Sequence, residues 1–300
     1  MEKRPMEKIS LEDRGIYDVS SARGSQIYLI VGSEKAAVVD AGMAYSAEGT
    51  VENIRKILGE RPLDMILLTH SHYDHVSGIP AMKRAWPQVQ VYGGTYVEHV
   101  FESDKAKAVI TKLNMEAVAK YQVEDFDGFD ADQLVIDHVI AEGDTISLGD
   151  HVLQAYDMPG HSRCSMAFLM DETYLFASET TCVTSRYGTF VPNYLISYKE
   201  SEESIRKCAS LPMRYVLVPH SNIYDLEKTP DFWQFCMKEM KGSKDLIMSM
   251  HWGGASSDEI IKELDRRYRD PDTKKEWPNE AFLINQKSMI KTVLREFGEN

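Results

Sequence analysis

Residues 69–75 read Thr69-His70-Ser71-His72-Tyr73-Asp74-His75, placing four metal-donor side chains within six residues, directly after the apolar run Met65–Leu68. A short apolar run followed by a helix-forming stretch reads as a buried strand that ends in a strand-to-helix corner. Alternate side chains of extended backbone point the same way, so His70, His72 and Asp74 converge on one side as the strand ends. His75 is adjacent to Asp74 and joins them only if the chain turns, which the start of a helix provides. Ligands so close in sequence cannot all serve one tetrahedral ion, and two ions with open or bridged positions fit better. Imidazole and carboxylate donors suit zinc, manganese and iron.

Further donors must come from later strand ends. Pro159-Gly160-His161 follows the β-rich run Val152–Tyr156, and His220 ends the run Tyr215–Pro219. Proteins of the α/β class place their sites at such strand ends. By contrast His99, His138, His151 and His251 have no companions at ligand spacing and read as surface or packing residues.

A chain of 300 residues can bury a large core as one domain or two modest ones. Its formal net charge of -13 disfavours general nucleic-acid binding, which needs clustered Lys and Arg to neutralise phosphates. The opening MEKRPMEKISLEDRG has no apolar h-region, and runs such as Ile27–Val31 are far too short to span a bilayer. The expectation is a cytoplasmic protein with a small-molecule substrate and neither nucleic acid nor membrane as partner. The oligomeric state is left open, a homodimer being one option. Cys164, Cys182, Cys208 and Cys236 form no CxxC pair and read as reduced structural thiols.

Ile27–Val31 and Ala36–Asp40, joined by Gly32-Ser33-Glu34, read as a hairpin. Ser46 reads as the N-cap of a helix with Val51, Ile54 and Leu58 on its apolar face. Ser77–Trp86 reads as a helix with Pro80 in its first turn, and Thr95–Gln122 has helical composition. Ser201–Cys208, Asp231–His251, Ser257–Arg267 and Ala281–Phe297 also read as helices, with Ser256 or Ser257 as a cap. The Met residues of the tail are expected to fill core gaps. The division expected is a core over 1–225 with a helical insertion near 95–122, and a helical region over 226–300.

On these residues the chain resembles the metallo-β-lactamase superfamily of hydrolases. His70-x-His72-x-Asp74-His75 matches the family's signature run, Gly160-His161 its next metal histidine and His220 its final one. Val38-Val39-Asp40-Ala41-Gly42 resembles the early strand that ends in an Asp supporting the metal ligands. The resemblance implies an αββα sandwich, of class α/β, with the metals at one rim and a C-terminal helical appendage. The insertion, the tail and Pro278–Phe297 resemble the branch containing the quinolone-signalling thioesterase, which hydrolyses 2-aminobenzoylacetyl-CoA and whose tail helices cover the active-site entrance. One departure stands out. Where the family has a bridging Asp, Tyr174–Glu179 ends in Glu179, and Ser178 replaces the usual Gly.

The resemblance assigns His70, His72 and His161 to one cation and Asp74, His75 and His220 to a second, with Glu179 between or beside them. Two divalent ions are implied, zinc first, with manganese or iron as alternatives. Metal-held hydroxide would attack a carbonyl carbon, Asp74 would orient it or pass on its proton, and Asp40 would fix a ligand imidazole. Tyr73, Arg163, Tyr187, Tyr194 and Tyr198 are the pocket candidates, with Phe190, Arg186 and Lys199 close by in sequence; core packing or surface charge is the alternative role for each. The reaction expected is hydrolysis of a thioester or lactone, or opening of a cyclic β-diketone. Two other readings stay in view. One is a mononuclear-iron oxidoreductase of the sulfur dioxygenase type, because the usual bridging Asp is gone. The other is a non-catalytic regulatory or binding protein on the same fold. A flavodiiron protein is argued against, since those carry Glu at the position of His72.

Overall fold

The computed structural model describes residues 9–298 except 23, 25, 186, 187, 221, 270 and 277, and only the backbone at 272, 273 and 276. The chain divides into two compact units. The N-terminal unit comprises Ile9–Asp157 and Met166–Asp171, and the C-terminal unit includes Met158–Ser165 and Glu172–Asn300.

The N-terminal unit begins with β1 (Ile16–Asp18), β2 (Tyr28–Val31) and β3 (Ala36–Val39), followed by α1 (Ala47–Leu58) and β4 (Met65–Leu67). Next come α2 (Tyr73–Val76), α3 (Ile79–Ala85), β5 (Gln90–Gly94), α4 (Val97–Glu102) and α5 (Asp104–Tyr121). It ends with β6 (His138–Ile140), β7 (Thr145–Ser147), β8 (Val152–Asp157) and β9 (Met166–Met170). Strands β1 to β6 form a sheet in chain order, antiparallel from β1 to β3 and parallel from β3 to β6. The switch follows the connections: a short turn joins β2 to β3, whereas helices cross between β3 and β4 and between β4 and β5. All three residues of β4 are buried, as expected of an interior parallel strand covered on both faces. Strands β7, β8 and β9 form an antiparallel meander.

Helix α1 buries Val51, Ile54 and Leu58, each worth roughly 1.5–3 kcal/mol of removal from water. Ser46 takes its N-cap position without the expected cap bond, because its hydroxyl donates to the Met43 carbonyl at 3.3 Å. The helix expected over Ser77–Trp86 is shorter and preceded by a separate single turn, α2. Gly78 explains the break: a Cβ there would lie 2.1 Å from the Ala41 carbonyl oxygen, and its N–H donates to Gly42 O at 3.1 Å. The chain is therefore tied to the end of β3 at that point, and α3 restarts with Pro80 in its first turn. Within 95–122 the helical run divides at Ser103, whose side chain caps α5 by accepting from Ala106 N–H.

The C-terminal unit carries β10 (Tyr174–Phe176), the small hairpin β11 (Val183–Thr184) and β12 (Phe190–Val191), and α6 (Tyr198–Ser210). β13 (Tyr215–Leu217) and β14 (Ile223–Asp225) precede α7 (Phe232–Trp252), α8 (Ser257–Tyr268), α9 (Pro271–Glu276) and α10 (Asn279–Phe297). Helix α6 crosses between the parallel strands β10 and β13, and β14 returns antiparallel to β13. Ser256 and Glu259 make a reciprocal capping box at the start of α8. Met240, Met248 and Met289 are buried as gap-fillers, while Met237 and Met250 are half-buried. No described helix is long and apolar enough to cross a membrane.

Candidate metal centre

In the N-terminal unit four donors cluster where β4 runs into α2. His70 and His75 are buried, and His72 and Asp74 are half-buried. The His70 ring lies 4.6 Å from the His72 ring and 4.1 Å from the His75 ring, centroid to centroid. Asp74 Oδ2 lies 3.8 Å from His75 Nε2. The single turn of α2 is what swings His75 back, its N–H donating to the His72 carbonyl at 3.0 Å.

Asp40 organises this cluster. It sits in left-handed backbone, φ 64°, at the end of β3, a conformation that Asp tolerates better than most residues. Its N–H donates to Leu67 O at 2.9 Å, and Ala41 N–H donates to His75 O at 2.7 Å. The buried carboxylate accepts from Thr69 N–H at 2.8 Å and from the Thr69 hydroxyl at 2.9 Å. It also accepts from His75 Nδ1–H at 2.7 Å. A carboxylate only accepts, so the Thr69 hydroxyl must give its proton to Asp40. Its 3.1 Å contact with His70 Nδ1 is then one in which the imidazole donates. Both rings are thereby set with Nδ1 protonated and Nε2 as the lone-pair side.

In the C-terminal unit His161, Glu179 and His220 come together. His161 follows Gly160, which has φ 127° and where a Cβ would meet Ser201 Oγ at 2.1 Å and Ser201 N at 2.5 Å. The Gly160 carbonyl accepts from Ile196 N–H at 2.9 Å and Ser197 N–H at 3.1 Å. The start of α6 thus packs directly on the backbone that presents His161. The His161 Nδ1–H donates to the Asn193 carbonyl at 2.7 Å, again leaving Nε2 as the lone-pair side. Glu179 is buried at the start of the turn over 179–181 that follows β10, and it spans the two imidazoles. Its Oε1 lies 2.6 Å from His220 Nε2 and its Oε2 lies 3.4 Å from His161 Nε2. Asn193 Nδ2 donates to Oε2 at 2.5 Å. His220, just past β13, adopts φ 76°. Non-glycine residues in left-handed backbone are uncommon. Of the five among the described residues, two, Asp40 and His220, belong to the candidate site.

A Gly160→Ala substitution is expected to destabilise the protein by at least about 2 kcal/mol, combining a positive φ with a backbone clash. It should also lower the metal bound per chain by displacing His161. Urea unfolding together with metal analysis of the purified variant checks both, and a fully metallated variant of normal stability would refute the constraint.

The pocket candidates separate. Tyr194 is buried, its hydroxyl sharing a 2.7 Å bond with Ser243 Oγ of α7, and burial raises its phenol well above the ordinary range. Tyr198 packs edge-on against Tyr194 and Phe297, with its phenol pushed up to about 12 by desolvation. Both act in packing and stay protonated near neutral pH. Phe190 joins Tyr224, Phe232 and Phe235 in an aromatic cluster. Lys199 lies over the Phe297 ring. Tyr73 is buried and Arg163 exposed, while Arg186 and Tyr187 lie outside the described residues. Of the remaining histidines, His138 stacks on Tyr92 at 4.6 Å and His151 pairs with Asp171 at 2.6 Å. All four cysteines are buried thiols.

One participant was invisible in the sequence. Asn193 is not a donor of the usual type, and half of its role belongs to a main-chain carbonyl, which no residue pattern encodes.

The family model of the metallo-β-lactamase superfamily matches residues 21–220, a span that holds every candidate donor. The metallo-β-lactamase fold-containing protein ST1585 of Sulfurisphaera tokodaii is 23% identical over 247 residues, covering 81% of this chain and 88% of that protein. Its crystal structure matches with a TM-score of 0.59 over 76% of this chain and 86% of that one. The acyl-coenzyme A thioesterase MBLAC2 of Gallus gallus is 30% identical over 229 residues, covering 69% of this chain and 76% of that protein. The metallo-β-lactamase family protein TTHA1429 of Thermus thermophilus matches with a TM-score of 0.65 at 17% identity, over 95% of this chain and 94% of that one. The two structures share this chain's fold.

Proposed function

Because the chain belongs to the metallo-β-lactamase superfamily, we propose that it is a divalent-metal-dependent hydrolase that cleaves an acyl thioester by adding water to the carbonyl carbon. The observation that carries this reading is the anchoring of three imidazoles through Nδ1. His70, His75 and His161 each have Nδ1 engaged by a local acceptor, so Nε2 is the lone-pair side in all three. That is how metal-binding histidines are characteristically held, the non-ligating ring N–H donating to a nearby acceptor. Family membership supports His70, His72 and His161 as the ligands proposed for one cation, and Asp74, His75 and His220, with Glu179, for the other. Zinc is the ion proposed first, with manganese or iron as alternatives that the same donors accept.

Bound divalent cations lower the pKa of water and polarise a carbonyl oxygen. The chain's own residues supply the rest. Asp74 is half-buried beside His75 and is suited to orient water and accept its proton. Asp40 holds His75, and through Thr69 also His70, against rotation. Glu179 replaces the family's shorter acid and reaches both histidines of its unit, one with each oxygen. The four thiols are buried, which disfavours a thiol nucleophile, and no Gly-x-Ser-x-Gly elbow occurs in the sequence.

The thioester class is supported by the likeness to an acyl-coenzyme A thioesterase, with lactones and cyclic β-diketones as the other activated carbonyls to compare. The test is a hydrolysis screen over acyl-CoA thioesters, lactones and cyclic diketones, with protein stripped by chelator and then reloaded with zinc, manganese or iron. Stripping is expected to reduce thioester hydrolysis by at least about 100-fold, equivalent to about 2.7 kcal/mol of barrier, and reloading to restore it. Fully metallated protein that hydrolyses no member of the three classes would overturn the reading. Oxygen consumption by the iron-loaded form would replace it with the dioxygenase alternative.

A further inference from the structure

In the C-terminal unit one residue that is not itself a metal donor holds two that are. We propose that Asn193 is a positioning residue for the metal site and that the C-terminal helix α10 is the brace that keeps it there. The inference rests on the metal-site reading above and gives the helical tail a role in that site, whatever else the tail covers.

Asn193 is buried and acts through two different atoms. Its side-chain Nδ2 donates to Glu179 Oε2 at 2.5 Å, and its main-chain carbonyl accepts from His161 Nδ1–H at 2.7 Å. The first contact selects a rotamer of Glu179, and the second fixes the tautomer and ring plane of His161. A glutamate has one more rotatable bond than the aspartate it replaces, and ordering a long polar side chain costs up to about 2 kcal/mol of rotamer entropy. With Oε2 tied to Asn193, Oε1 is directed at His220, 2.6 Å away. The longer acid at position 179 and the amide at position 193 therefore form one device.

The segment that carries Asn193 lies between β12 and α6 and belongs to neither, so its shape must be imposed from outside. Helix α10 imposes it. The Thr292 hydroxyl donates to Leu195 O at 2.7 Å, and the Arg295 guanidinium donates to Ile196 O. The Glu296 carboxylate accepts from Tyr198 N–H at 3.2 Å and Lys199 N–H at 3.1 Å, at the first residues of α6. On the other side Ile196 and Ser197 donate to the Gly160 carbonyl, beside His161 itself. Residues 193–199 are thus strapped between the backbone that presents His161 and the last two turns of the chain's final long helix. A helix whose only task was to cover apolar surface would not direct a buried hydroxyl, a guanidinium and a carboxylate at the main-chain groups of Leu195, Ile196, Tyr198 and Lys199.

The experiment is a zinc titration of stripped protein against a chromophoric chelator, for wild type, Asn193→Asp, Asn193→Ala and Thr292→Val, with a thermal melt of each stripped form. Asn193→Asp keeps the shape and removes the amide donor, and Thr292→Val keeps the buried volume and removes one strap. Asn193→Asp and Asn193→Ala are expected to weaken zinc binding by about 10- to 100-fold, the usual effect of losing a group that orients a ligand. Thr292→Val is expected to weaken it by about 2- to 10-fold, the worth of one net hydrogen bond. All three should melt, when stripped, within a few degrees of wild type. A purely structural role would lower the melting temperature and leave zinc affinity unchanged, and that result in the three variants overturns the proposal. Should both Asn193 variants fail to fold, Thr292→Val decides the matter in the same way. Wild-type protein that binds no zinc, manganese or iron would overturn the metal-site reading together with this one, whereas tight wild-type binding with unchanged variants sinks this one alone.

Discussion

Replacing His72 with alanine is expected to abolish hydrolysis while leaving the protein folded. His72 is half-buried, and its carbonyl oxygen accepts from His75 N–H at 3.0 Å and Val76 N–H at 3.2 Å to start α2. Alanine supplies the same carbonyl, so the turn that brings His75 round survives. What is lost is the imidazole whose ring stands 4.6 Å from that of His70. A metal acting as Lewis acid supplies several kcal/mol of transition-state stabilisation, and losing about 4 kcal/mol of it reduces the rate by about 10³-fold. The cost in stability should stay within about 1 kcal/mol, because no large buried volume is removed. The comparison is kcat/KM at saturating metal against the urea midpoint of the same preparation. Turnover at the wild-type rate would remove His72 from the mechanism, and a collapsed urea midpoint would show that the imidazole serves the fold.

The parts of this architecture legible in the sequence are those written in short-range pattern. The β2–β3 hairpin and the strand-to-helix corner at His70–His75 follow from alternation and from where apolar runs stop. The amphipathic face of α1 and the Ser256 cap follow from helical period and capping chemistry. What pattern could not supply was contact between distant segments. The break between α2 and α3 exists because Gly78 is pressed on the end of β3, and nothing near Gly78 in sequence announces that. The aromatics after Glu179 read equally well as pocket or core, and what decides it for Tyr194 is the bond between its hydroxyl and Ser243 of a helix about fifty residues later. Asn193 escaped for the same reason: its partners are 14 and 32 residues away, and one of the bonds uses no side-chain atom of Asn193. Asp40 lies between these cases. Family resemblance pointed to it, but its reach to both His70 and His75 depends on a left-handed turn and on the proton of a threonine hydroxyl.

That dual reach makes Asp40→Ala the substitution with the largest expected effect on stability. Three donors converge on the Asp40 carboxylate: Thr69 N–H, the Thr69 hydroxyl and His75 Nδ1–H, all buried. Alanine leaves them without an acceptor, at about 1–3 kcal/mol for each buried donor that finds no substitute. It also places a residue with no polar side chain at φ 64°, which costs roughly 1 kcal/mol more because no short side-chain hydrogen bond compensates the left-handed conformation. The Thr69 hydroxyl can rotate to another acceptor, so the sum expected is about 3–5 kcal/mol rather than the full total. Asp40→Asn separates this stability effect from the metal effect. The amide tolerates the left-handed backbone and keeps one oxygen as acceptor, but turns an N–H toward either Thr69 N–H or His75 Nδ1–H, where an acceptor is required. The Asn variant should therefore unfold within about 2 kcal/mol of wild type and yet bind zinc about 10- to 100-fold more weakly, since the imidazoles lose the anchor that sets their tautomer. If Asp40→Asn bound zinc as tightly as wild type, the hydrogen bonds from Asp40 would belong to folding alone and the tautomer argument for His70 and His75 would fail.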